Sequence, residues 1–289
     1  MLSTRVIRRK IRTVQNIRKI TDAMRMVAAA KLRRVQAKVA AGRPYSEKMT
    51  ELLHRVAPHA QGVQHPLLEV REPVSRIGLI VMAADRGLCG SFNSNILRRA
   101  KKFIDGSAAP VELVTVGKKA RDFFNYRRYA ISRSFLGLSA QSSALEIGEL
   151  SAEIRGMYET KRVDEVHILY TEFLNAVQQR PKQLQFLPFM PPSGGGDAGE
   201  GTDYIFEPDP KALMEALIPR YVDTTVYHLV LESTASEHGA RMMAMTNAAT
   251  NAAEVIDSLT LSFNKARQAS ITGELLEIVA GADALMAQA

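Results

Sequence analysis

The sequence predicts an α/β fold in which two long terminal helices pair as an antiparallel coiled coil and carry an α/β domain between them. Three observations predict it. An apolar period of three to four residues runs through each end, β-rich runs alternate with helical segments in the middle, and positive charge is gathered in the first arm.

The first helix is read from its stripe. Ile7, Ile11, Val14, Ile17, Ile20, Met24, Val27, Val35 and Val39 recur at helical spacing. Ser3 or Thr4 can serve as N-cap. Helix formers continue to Ala41, and after Gly42-Arg43-Pro44 the pattern resumes to Val56. A helix of ~55 residues would be ~80 Å long, more than a compact domain needs. The Ala28–Ala30 run with Ala37, Ala40 and Ala41 keeps one side narrow, so a partner helix can approach closely.

Charge separates the readings of this arm. Residues 1–43 hold 13 Lys or Arg and one acid, Asp22, a local balance of +12; against the total of +8 the other 246 residues sum to −4. A mitochondrial presequence is also Arg-rich and amphipathic, but it is short and rich in Ser. A basic zipper keeps its basic region apart from its heptads. Here Arg8, Arg12, Arg18, Lys19, Arg25 and Lys31 are interleaved with the apolar stripe, so one stretch both packs and presents charge. A helix that must meet an acidic protein surface accounts for both properties.

The C-terminal helix starts at Asp209, an N-cap followed by Pro210 at the first helical position. Pro219 is expected to kink or interrupt it. Beyond, Met242, Met245, Ala249, Ala252, Ile256, Leu259, Phe263 and Ala266 alternate steps of three and four, a coiled-coil seam over four heptads. With a second seam at the other end of the chain, an intramolecular antiparallel pair needs no second copy.

The middle reads as strands and crossover helices: Ile77–Ala83, helix Asn93–Ile104, Val111–Val116, helix Lys118–Asn125, Tyr129–Ser134, helix Ala144–Tyr158, Glu165–Thr171 and a strand pair around Ala176–Leu187. The expected divisions are an N-terminal coiled-coil helix over 1–57, a linker over 58–75 and a Rossmann-like α/β domain over 76–190. A flexible Gly-rich linker over 191–208 and a C-terminal coiled-coil helix over 209–286 complete them.

The turn Asp85-Arg86-Gly87-Leu88-Cys89-Gly90 is the single Gly-rich candidate site. It follows a strand and precedes a helix, where phosphates bind in Rossmann-like folds. Its glycines match neither G-x-G-x-x-G nor a P-loop, so a tight turn with positive φ is the simpler reading. The histidines, His54, His59, His65, His167, His228 and His238, are scattered, leaving Cys89 without a His partner and the chain without metal-ligand spacing. No catalytic, cofactor-binding or metal site is expected. No stretch approaches a membrane span, no signal sequence is visible, and one cysteine excludes an internal disulfide.

Four segments carry a family resemblance: Ile17–Lys31 (IRKITDAMRMVAAAK), Asp85–Gly90 (DRGLCG), Tyr204–Pro210 (YIFEPDP) and Asn264–Thr272 (NKARQASIT). The chain resembles the gamma subunits of F-type rotary ATP synthases from end to end. The resemblance implies a central shaft that couples ion flow through the membrane sector to ATP synthesis or hydrolysis in a ring of alpha and beta subunits. Catalysis belongs to that ring, so the chain is a non-catalytic subunit without cofactor.

Expected partners are alpha, beta, epsilon and c-ring subunits, with membrane association through the complex alone. Met24, Arg25, Arg267 and Gln268 would meet beta; Tyr204, Phe206 and Glu207 would form the foot on the c ring and epsilon. Phe206 stands where some relatives have Tyr. The absence of the chloroplast-type cysteine pair, and of a presequence, points to a bacterial inner membrane, peripheral on the cytoplasmic side. A basic coiled-coil scaffold that binds nucleic acid is the alternative, and it predicts steeply salt-dependent DNA binding.

Overall fold

The structure is a computed structural model and describes residues 4–56, 65–139, 142, 144–189 and 209–286. Its fold is a mixed α/β one, with long N- and C-terminal helices and a central sheet. Two compact units divide the chain. One is Ala28–Arg241; the other comprises Met1–Val27 and Met242–Ala289.

In the first unit, five strands form one sheet in the order β3-β2-β1-β4-β5: β1 Ile77–Met82, β2 Val111–Val116, β3 Ile131–Phe135, β4 Glu165–Phe173 and β5 Gln179–Leu187. The first four run parallel and β5 pairs antiparallel with β4. Alternation along β1 feeds two cores, because successive side chains leave a strand on opposite faces. Leu79 and Val81 join Leu113 and Leu169 under α2 (Phe92–Gly106) and α3 (Lys118–Tyr126), with Ile96, Leu97, Ala100, Ala120 and Phe124.

Ile80 and Met82 face the other way, with Val114, Val116 and Ile168. There they meet α4 (Ala144–Glu159), the end of α1 (Thr4–Val56) at Met49, Leu53 and Val56, and the start of α5 (Pro210–Met286) from Met214 to Val230. A strand buried on both faces explains why β1 reads as one apolar run.

Three expectations change, the third of them in the α1 stripe. The strand pair around 176–187 is a single strand, β5; residues before it form a turn in which the Asn175 side-chain oxygen accepts from the amides of Val177 and Gln178. Such an Asx turn competes locally with a strand. Pro219 does not interrupt α5, and Pro44 lies inside α1. Pro219 removes one backbone donor, but the buried Ile218 and Val222 on either side keep that turn of helix packed. Asp209 caps α5 as expected, accepting from the Ala212 amide at 2.9 Å.

In this same unit α1 and α5 run antiparallel: a Cβ on Gly42 would sit 3.2 Å from His228, while Lys31 acts on Glu237 and His238. In the second unit the Arg8 guanidinium lies 5.2 Å from the centre of the Phe263 ring. The α5 seam is as read, each of Met242, Met245, Ala249, Ala252, Ile256, Leu259, Phe263 and Ala266 being buried or half-buried.

The α1 stripe is corrected. Ile7, Ile11 and Val14 lie on the seam, but Ile17, Ile20 and Val27 are exposed. Continuing the steps from Val14 reaches Thr21 and Ala28, which are buried instead. Thr21 satisfies its hydroxyl on the carbonyls of Ile17 and Arg18 at 3.1 and 2.9 Å.

One close approach lies at the sheet's carboxyl edge. Gly117, between β2 and α3, has φ +90°, and a Cβ there would lie 2.1 Å from the Ala83 carbonyl oxygen. Its amide donates to Phe135 O, and the Lys119 amide donates to Ala84 O. Gly117→Ala should therefore cost about 3–5 kcal/mol through strain and displacement. Gly148→Ala, inside α4 with nothing within 4 Å of the added carbon, should stabilise by about 1 kcal/mol. Thermal melting of the two variants tests the pair of signs.

Candidate functional site

The turn after β1 is built from its own side chains. One Asp85 carboxylate oxygen accepts from the Lys118 amide at 2.9 Å and the other from the Gly137 amide at 3.0 Å. The aspartate thus caps α3 and fixes the segment after β3. Leu88 and Gly90 take the positive φ values, 61° and 57°. Asn93, in the first turn of α2, accepts from the Ala84 amide and donates to Arg86 O and to the Cys89 sulfur. Cys89 is buried against Ala84 and Phe92, and burial pushes its thiol pKa up, away from the reactive thiolate. The turn is a structural joint, with its one thiol buried inside it.

Beside it lies a cavity of about 250 Å³, lined from α1 by Lys31, Arg34, Val35 and Lys38 and from the turn by Asp85 and Arg86. The segment after β3 adds Leu138 and Ser139, and α5 adds Thr234, Glu237, His238 and Arg241. Arg241 is the strut of its back wall. It pairs with Glu237 at 2.6 Å and donates to Gly87 O at 3.3 Å and Arg86 O at 3.5 Å.

Its neighbour His238 presents Nδ1 to the same guanidinium at 3.3 Å. An Nδ1 that accepts from a cation carries no proton, so the neutral ring is the one that fits. Burial first, then Arg241 and Lys31, push its pKa down to about 4. Burial moves Glu237 the opposite way, up from the carboxylate range, against the pull of Arg241. Sequence reading passed over Glu237 and Arg241; their four-residue spacing inside an apolar stretch was the available signal.

The expected contact residues fall on two helices. Met24 and Arg25 are half-buried on α1, Arg25 lying 3.5 Å from Asp22. Arg267 and Gln268 are exposed on α5. With Arg8 opposite Phe263 in an antiparallel pair, the two sets stand about 30 Å apart along the helices. The structure does not bring them into one site. Tyr204, Phe206 and Glu207 lie outside the described residues. Near the first set, Ile17, Ile20, Met26 and Val27 are exposed; near the second, Ile271, Leu275, Leu276, Ile278 and Val279 are exposed. Unpartnered apolar surface of this kind marks protein contact. Among the described residues no group of His, Cys, Asp or Glu could hold a metal ion, and no helix is long and apolar enough to cross a membrane.

Comparison with known proteins gives one answer. A family model described as ATP synthase matches residues 3–285. The ATP synthase gamma chain of Pelotomaculum thermopropionicum is 45% identical over 285 residues, covering 99% of this chain and 100% of that one. The ATP synthase gamma chain of Moorella thermoacetica is 46% identical over 285 residues, with the same shares covered. Among solved structures, a chain of the Euglena gracilis mitochondrial ATP synthase, from its OSCP/F1/c-ring structure, superposes with a TM-score of 0.70. It covers 98% of this chain and 95% of its own, at 21% identity, which speaks to the fold. Nothing in these comparisons supports a nucleic-acid scaffold.

A thiol reagent should label Cys89 in the native chain far more slowly than in denaturant, which absorbance of the released chromophore reads directly. For His238, the unfolded ring binds a proton near pH 6.5 and the folded one near pH 4. Between those values the unfolded state holds the extra proton, so stability falls as pH drops through the window, by about 3 kcal/mol in total. Denaturant titrations of His238→Gln should lack that acidic decline.

Proposed function

Because the chain belongs to the ATP synthase gamma chain family, we propose that it is the central rotor shaft of an F-type ATP synthase. It couples ion flow through the membrane sector to ATP synthesis or hydrolysis in the alpha/beta ring. The observation that carries this reading is the pairing of the terminal helices along seams of small and apolar residues, with their outer surfaces left exposed. A two-helix rod with an open circumference suits a part that touches several partners in turn.

In this reading the shaft helices span 1–57 and 209–286 and the α/β domain 76–190, with connecting stretches over 58–75 and 191–208. Met24, Arg25, Arg267 and Gln268 face beta, and Tyr204, Phe206 and Glu207 form the foot against the c ring and epsilon. The +12 arm meets acidic beta surface by long-range attraction, partly screened at physiological salt. The complex holds the chain on the cytoplasmic side of a bacterial inner membrane; the relatives named above are bacterial.

Reconstitution tests the reading. Added to alpha and beta subunits, the full chain should assemble with them and raise ATPase activity; assembly without gain in activity would overturn it. In the assembled complex Arg267→Ala should lower turnover by about tenfold, the cost of a lost hydrogen bond from a charged group. An unchanged turnover would remove Arg267 from the beta contact.

A further inference from the structure

We propose that the cavity behind the first-strand turn is a binding site for a small oxyanion of the phosphate class, free or at the end of a nucleotide. This goes beyond the rotor reading and does not depend on it.

Position is the first argument. Asp85 and Arg86 follow β1, and Leu138 and Ser139 follow β3, so the cavity opens at the carboxyl edge of the parallel strands. The chain steps outward from β1 to β2 and β3, then returns to place β4 on the other side of β1. Open sheets that reverse in this way take their ligands at that edge. The turn lacks a phosphate-binding glycine pattern, so any anion held here must be held by side chains.

Charge is the second. Five cations line the cavity, Lys31, Arg34, Lys38, Arg86 and Arg241, against two acids, Asp85 and Glu237. Both acids are committed. Asp85 spends its two oxygens on the amides of Lys118 and Gly137, and Glu237 is paired with Arg241. Among the described residues the side chains of Lys31, Arg34 and Arg86 make no hydrogen bond or ion pair, Lys31 acting on Glu237 and His238 only at longer range. Like charges drawn from two elements to one cavity repel, and a multiply charged anion is what turns that repulsion into attraction.

Size and shape are the third. At about 250 Å³ the cavity is smaller than a site for a drug-sized ligand, and it suits a compact anion. Guanidinium forks match the oxygens of phosphate two at a time, which favours phosphate over a spherical ion such as chloride. Arg241, already fixed by Glu237 and the turn carbonyls, supplies a rigid positive wall, while Lys31, Arg34 and Arg86 are exposed and free to close on the ligand.

Lysine footprinting on the full-length chain tests the site. The rate of Lys31 acylation would be followed by mass spectrometry with pyrophosphate, orthophosphate or ADP, each against sodium chloride at equal ionic strength. Lys31 should react about fivefold more slowly at pyrophosphate near four times its dissociation constant, because only the unliganded fraction reacts. The exposed Lys19 and Lys265 should keep their rates. Protection by pyrophosphate and orthophosphate but not ADP assigns a free anion; protection by ADP as well assigns a phosphate borne on a nucleotide. Arg34→Gln and Arg86→Gln should each lose the protection while melting as the parent does. An unchanged Lys31 rate, or equal slowing at Lys19 and Lys265, overturns the proposal. Reconstituted ATPase activity reads the rotor assignment separately.

Discussion

One face of the sheet is closed by the inner ends of the two long helices, the last turns of α1 and the first part of α5, and the α/β unit depends on that closure. Ile80, Met82, Val114, Val116 and Ile168 have only α4 as a crossover cover; Met49, Leu53 and Val56 of α1 and the stretch from Met214 to Val230 of α5 supply the rest. Both helices are therefore anchored in a hydrophobic core before they run on. Marginal helices are stabilised mainly by tertiary burial, and within this unit the sheet supplies it to both.

The anchoring also explains why α5 changes character along its length. Between Met214 and Ala235 it is buried on several sides, as a core helix is. At Glu232 and Ser236 its contacts become directional: the first accepts from the Phe173 amide and the second donates to Thr171 O. Gly239 then lets the hairpin before β5 approach, a Cβ there lying 3.3 Å from Gln179 and Phe173. Arg241 ends the series on the turn carbonyls. Apolar packing gives adhesion without fixing angle, whereas these four contacts fix how the helix is rotated against the sheet.

Much of this was legible in the sequence, and the exceptions share a cause. The α5 seam could be read because its positions are filled by Met, Leu, Ile, Phe and Ala in unbroken phase. The α1 seam could be read at Ile7, Ile11 and Val14 and then lost, because Thr21 and Ala28 occupy it while bulkier Ile17, Ile20 and Val27 lie to one side. Apolarity was the wrong guide there; phase was the right one. Pro219 misled for a related reason, since its cost is local and the packing of Ile218 and Val222 is not. The double use of Asp85 and the Arg241 strut rest on partners 33 to 155 residues away, and no local pattern encodes them.

The pairing of Arg8 with Phe263 has a consequence for how the chain is made. During synthesis α1 emerges first, and the part of α5 that completes its seam follows more than two hundred residues later. Contacts so distant in sequence form late, so the nascent helix must wait with Ile7, Ile11 and Val14 uncovered. Over that interval the +12 charge of residues 1–43 opposes association of such uncovered faces, since like-charged segments repel one another.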